Sequence, residues 1–315
     1  MTKDRLIGLI KLLISLGLLF ILFRVFDFRK SYDALRGMDL ALFAIALALF
    51  QLSLLLRSFR WRFLLDAVDV HVPIPRLLYL YYVGVFFNTF LPSGFGGDAI
   101  KMYELARYSH KGSEAVGTVF VDRLAGIIVL FIMGLLAWPF TYRTLPRQAA
   151  YFLLLASSAG LIAIWVFFQR RFAEWLLRFF PDKFRKTLQS LYDAVHTCGT
   201  RALWKALAVS AVFNVALFGL NYFIALSMGV DIPFIYFVAF MPVLSLAMLL
   251  PSVGALGTRE GAYLLLFGTV GVSEPIAIAM SMAFYLINVL TGLVGVLLYS
   301  IDALGGLRAK RVDQR

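Results

Sequence analysis

Six stretches of the chain, 6–26, 40–56, 115–140, 150–168, 206–228 and 276–301, are apolar runs of about the length a helix needs to cross a bilayer. In lipid the backbone has no water to bond, so such runs must close their hydrogen bonds internally, as helices do. The pattern predicts an all-α polytopic membrane protein with six full spans. Charge content agrees: 15% of the 315 residues are charged, against the roughly 25% of a soluble domain. The first run is too long for a signal peptide, and no small-x-small cleavage site follows it.

Two other apolar stretches are shorter, and both break at one phrase. The first copy is Phe90-Leu91-Pro92-Ser93-Gly94-Phe95-Gly96-Gly97-Asp98. The second is Leu249-Leu250-Pro251-Ser252-Val253-Gly254-Ala255-Leu256-Gly257, running into Thr258-Arg259-Glu260-Gly261. Each time an apolar segment stops at Leu-Pro-Ser, glycines follow, and charged residues open a second helix. Gly/Pro-interrupted segments at matching places in two halves of a membrane chain are a transporter pattern. The sequence therefore predicts re-entrant hairpins over 77–108 and 234–272. Each half reads as two spans, a hairpin and one span, with 146–315 an inverted copy of 1–145 inside a single membrane domain. Within 170–205, Phe184, Leu188, Leu191, Tyr192 and Val195 recur at helical spacing among basic residues. That predicts an amphipathic helix on the cytoplasmic surface.

Charge placement tests the layout. The net charge is +12. Both termini and the segments 57–76, 101–111 and 170–205 together hold 22 of the 30 Lys and Arg residues. Placing these on one side satisfies the positive-inside rule. The expectation is an integral protein of the cytoplasmic (inner) membrane with both termini cytoplasmic. Its basic residues would then face anionic lipid rather than nucleic acid.

Chemistry concentrates at the two interruptions. Gly94, Gly96 and Gly97 admit positive φ and close approach of a ligand. Helices opening near Asp98 and Thr258 would aim their N–H groups at the tips, which suits an anion. Asn88, Ser93, Lys101, Ser252, Gly254 and Gly257 join them as candidate headgroup contacts. Arg123 lies inside a span beside Asp122, where an ionisable residue costs about 2.5–3.5 kcal/mol, so it should have a partner. Asp98, Glu104 and Glu260 are the candidates. The planar fork of Arg259 suits a phosphate; the alternative is a local ion pair with Glu260 or Asp98. Asp98, Lys101, Glu104 and Arg107 share one helical face and read as a largely solvated, alternating-charge row. Asn214, Asn221 and Asn288 read as hydrogen-bonding links between helices. Asp98, Asp122 and Glu260 are candidate proton or ion carriers. One cysteine and three scattered histidines predict neither an internal disulfide nor a metal site. No nucleotide loop, zinc-protease motif or nucleophile elbow occurs, so no cofactor and no catalysis are expected.

The stretch Asn88 to Lys101 resembles the lysylphosphatidylglycerol synthase transmembrane-region family of flippase-like proteins. So do Asp122-Arg123-Leu124-Ala125-Gly126 and Gly254-Ala255-Leu256-Gly257-Thr258-Arg259-Glu260-Gly261, in the same order. In two-domain members this region is held to translocate an aminoacylated phospholipid made by a soluble synthase domain, for which this sequence has no counterpart. Lys101 stands where relatives often carry arginine. The resemblance implies a lipid translocase for an anionic or phosphate-bearing lipid, not a synthase. Two other readings stand beside it: a scaffold for a lipid-modifying or glycosyltransferase partner, docking on 170–205, or a membrane enzyme on lipid-linked substrates. A homo-oligomer stays open.

Overall fold

The structure is a computed structural model, and it describes residues 36–90, 96–109, 111–169, 197–248 and 258–312. The run 6–26 and most of 170–205 lie outside the described residues. So do Ser93, Gly94, Ser252, Gly254 and Gly257.

Among the described residues there are nine helices and no strand. They are α1 (Leu40–Asp66), α2 (Ile74–Phe90), α3 (Gly96–Ser109), α4 (Gly112–Thr141), α5 (Arg147–Phe168), α6 (Gly199–Ser227), α7 (Phe234–Ala247), α8 (Thr258–Gly268) and α9 (Glu274–Val312). Five of these, α1, α4, α5, α6 and α9, are long and apolar enough to cross a membrane. With a rise of 1.5 Å per residue, α2 and α7 reach only about 25 and 21 Å.

Local chemistry sets the ends. Asp39 caps α1 by accepting from the backbone N–H of Ala41 and Leu42 at 2.8 and 3.2 Å. Gly229, at φ +74, stops α6 while the N–H of Val230 returns to the Ala225 carbonyl. The apolar run 40–56 does not mark the end of its helix. α1 continues to Asp66 because Arg60, Trp61, Leu64 and Leu65 are all buried against neighbouring helices.

The bundle is organised on α1 packed against α6. Around that pair the contacts come in matched sets: α2 on α9 and α7 on α4, α2 on α3 and α7 on α8, α3 on α4 and α8 on α9. Both short pairs are antiparallel. Arg76 at the start of α2 lies over the Tyr108 ring at the end of α3, and Phe237 near the start of α7 lies 5.3 Å from Phe267 at the end of α8. The backbone N–H of Asp39 donates to the Ser227 carbonyl, placing the start of α1 beside the end of α6. At the other end, Lys111 Nζ donates to the Asp69 carbonyl and Arg76 Nη1 lies 3.4 Å from Asp302.

Glycine sets how close the helices come. A Cβ on Gly97 would collide with the Gly84 backbone, and one on Gly295 with the Tyr82 carbonyl. Gly96 and Gly97 are helical rather than left-handed. The close approach that Gly97 permits is made by α2. The outward faces are apolar: on α5, Phe152, Leu155, Ile162 and Trp165 are all exposed. In water such a surface would be an aggregation site; against acyl chains it is ordinary.

A cationic cavity between two helical hairpins

A cavity of about 330 Å³ opens where the facing ends of the two short helix pairs approach α1, α4, α6 and α9. Four guanidinium side chains line it: Arg57 and Arg60 from α1, Arg123 from α4 and Arg259 from α8. Asn88, Asn214 and Asn288 add amides, and Phe50, Val85, Leu130 and Phe284 are among its apolar walls.

Arg123 finds one of the partners expected for it. Its Nε lies 3.0 Å from Asp98 Oδ2, while Lys101 Nζ sits 2.7 Å from Asp98 Oδ1. One carboxylate thus ties α3 to α4 and neutralises a lysine that is itself 2% exposed. The face Asp98–Lys101–Glu104 is buried and only Arg107 is exposed. The reading of that row as a solvated face is overturned. Burial wins because Lys101 lies over the Tyr81 ring at 4.4 Å and its charge is met within the bundle.

Asp122 takes its hydrogen bonds from other helices. It accepts from Arg60 Nε and from the Tyr81 hydroxyl, both at 2.6 Å. Arg60 Nη1 reaches Ser210 Oγ on α6 at 2.9 Å, and the absent side chain of Gly126 leaves room for that guanidinium. This chain of bonds joins α1, α2, α4 and α6. Arg60 and Lys101, assigned by the charge census to cytoplasmic segments, are instead core residues.

At the second hairpin Arg259 is 2% exposed. Its Nη2 pairs with Glu260 Oε1 at 2.7 Å, its Nε donates to Ser281 Oγ at 2.8 Å, and its Cζ lies 4.9 Å over the Tyr285 ring. The local pair with Glu260 is present, and Arg259 still reaches the cavity wall. Thr258 opens α8 and is half-buried.

The asparagines divide by task. Asn88 Oδ1 accepts from the Gly97 N–H at 2.7 Å, capping α3 from the end of α2. Asn214 donates to the Gly126 carbonyl at 3.2 Å, linking α6 to α4. Asn221 accepts from the Tyr263 hydroxyl. Asn288 donates to the Phe284 carbonyl of its own helix at 2.9 Å, which is no interhelical link. Among the described residues no group of His, Cys, Asp and Glu is placed to hold a metal ion.

Sequence reasoning missed Arg57, Arg60, Tyr81 and Ser210. A signal existed: Ser53, Arg57 and Arg60 stand at i, i+4 and i+7, a polar stripe continuing the helix that the apolar run begins.

A bundle with five apolar span-length helices, apolar outer faces and an arginine-bearing cavity within is an integral membrane protein. The chain belongs to the lysylphosphatidylglycerol synthase TM region family, whose model matches residues 8–295. It is similar to a UPF0104 membrane protein of Pyrococcus horikoshii, 24% identical over 311 residues, covering 88% of this chain and 92% of that one. A UPF0104 membrane protein of Methanothermobacter thermautotrophicus is 25% identical over 311 residues, covering 84% and 86%. A second from the same organism is 24% identical over 282 residues, covering 81% and 83%.

Proposed function

We propose that the protein is a flippase-like lipid translocase, not an enzyme, that moves an anionic or phosphate-bearing lipid across the cytoplasmic membrane. The observation that carries this reading is the cavity lined by four arginines inside an apolar helical bundle. Positive charge at membrane depth is costly and marks a substrate path. The headgroup would contact Arg123, Arg259, Asn88 and the hairpin tips while the tails stay in lipid.

The matched packing of α2, α3 and α4 with α7, α8 and α9 supports two inverted repeats, 1–145 and 146–315. Each hairpin has arms that start and finish at one end of the bundle, which supports re-entry rather than crossing. Both termini would be cytoplasmic, and one repeat would rock against the other. Asp98 is the best-placed coupling carboxylate, because its ion pair joins the first hairpin to α4. Protonating it would release the hairpin.

Fluorescent phosphatidylglycerol in proteoliposomes tests transport: wild type should exchange it between leaflets, and Arg259→Ala, with an unchanged melting profile, should not. Wild-type exchange in that variant would remove the cavity from the path. Single cysteines replacing Asp69 and Arg143, in a Cys198→Ala background, should label from opposite sides of the membrane. Labelling from one side would end the topology.

A further inference from the structure

We infer that the cavity selects headgroups carrying net negative charge and no amine, so aminoacylated and ethanolamine lipids are not its cargo. This deepens the translocase reading and rests on it.

Charge on the wall has one sign. Four arginines line the cavity, and among the described residues no Asp or Glu does. The tip segments 91–95 and 249–257 contain no ionisable side chain. The nearby carboxylates are absent from the lining and pair with the protein's own donors. Asp98 gives one oxygen to Lys101 and the other to Arg123. Asp122 gives one to Arg60 and the other to Tyr81. Glu260 Oε1 takes both Arg259 and Ser281. An entering ammonium would find no carboxylate on the wall, and it would stand among guanidinium groups where the low dielectric magnifies repulsion.

Aromatic rings do not rescue it. Phe213 already carries Arg57 and Arg60, at 5.6 and 5.4 Å from its centroid, and Tyr285 carries Arg259. Two of the five rings in the lining are thus held by the protein's own cations, and Phe50 and Phe284 pack edge to face on each other.

Arg57 supplies the positive half of the preference. Among the described residues it has no carboxylate in ion-pair range, and its buried Nε has no hydrogen-bond partner. The rings of Tyr81 and Phe213 hold its face, at 4.7 and 5.6 Å. In-plane N–H donors are not satisfied by a ring face. A phosphate in the cavity would compensate the Arg57 charge, which no carboxylate among the described residues meets at ion-pair range.

The test uses the full chain in proteoliposomes with fluorescent phosphatidylglycerol, phosphatidic acid, phosphatidylethanolamine and lysylated phosphatidylglycerol, each assayed alone. The expected result is exchange of the first two about tenfold faster than the last two, with the preference lost in Arg57→Gln. Equal or faster exchange of either amine-bearing lipid overturns the inference and leaves translocation standing. Failure to exchange all four defeats the translocase reading itself. Retention of the full preference by Arg57→Gln, folded as judged by its melting profile, removes Arg57 from the selection.

Discussion

The two helical hairpins share a plan and differ in what holds them. In each, an apolar half-length helix is followed in sequence by a segment with Pro and Gly, and the returning helix carries charge in its first turn. The first hairpin is held by electrostatics and bare backbone: Asp98 is clasped by Lys101 and Arg123, and Gly97 lies against Gly84. The second is held by rings: Phe267 touches Phe237, Phe240 and Tyr263, while Arg259 is neutralised by the residue beside it. One framework therefore presents a polar, charge-rich side and a largely self-neutralised side to the same cavity. The difference teaches where an anion should rest: towards α1 and α4, where Arg57 has no ion pair among the described residues.

The largest effect that would break this comparison is at Asp98. Asp98→Asn leaves a buried lysine and a half-buried arginine without their shared carboxylate, which should cost ~3 kcal/mol in thermal unfolding in detergent. A loss under 1 kcal/mol would mean that charge does not hold the first hairpin. Gly97→Ala should cost about 1–3 kcal/mol, because its Cβ meets backbone that cannot move aside. The matching change at Gly261 in α8 meets nothing within 4 Å. Gly261→Ala should instead stabilise by about 0.5–1 kcal/mol through helix propensity alone. Equal signs for the two alanines would erase the contrast.

Glu260→Gln sharpens the comparison from the other side. Arg259 keeps Ser281 and Tyr285, and glutamine keeps an acceptor, so the loss should be near 1 kcal/mol, the gap between a charged and a neutral hydrogen bond. A loss matching that of Asp98→Asn would make the two hairpins equally dependent on charge. The smallest effect is at Cys198. Burial disfavours the thiolate and pushes the thiol up to about 11, so the folded protein should resist thiol reagents at pH 7.5 and react faster as the pH rises towards that value. Rapid labelling at pH 7.5 would show that the junction of α6 with α1 and α4 opens readily.

Helices were legible in the chain because apolar length and Gly/Pro interruption are local properties. The described spans, the short α2 and α7, and helix starts beside Asp98 and at Thr258 all follow from residues adjacent in sequence. Arg123 could be flagged as needing a carboxylate because an ionisable group in an apolar run is conspicuous wherever it lands. Arg57 and Arg60 escaped notice because a basic residue after an apolar run looks the same whether it leaves the membrane or turns into the bundle.

Which cation meets which acid was decided by packing alone. Asp122 could not be matched to Arg60 across 62 positions by spacing; α1 had to lie against α4, with Gly126 leaving the gap that admits the guanidinium. Sequence by itself determined that this chain builds apolar helices and interrupts two of them with glycine and charge, because lipid leaves the backbone no other way to bond. Only the tertiary structure decided that, among the described residues, the arginines line the cavity and the acids are absent from its lining, because that depends on distances between helices that no local pattern encodes.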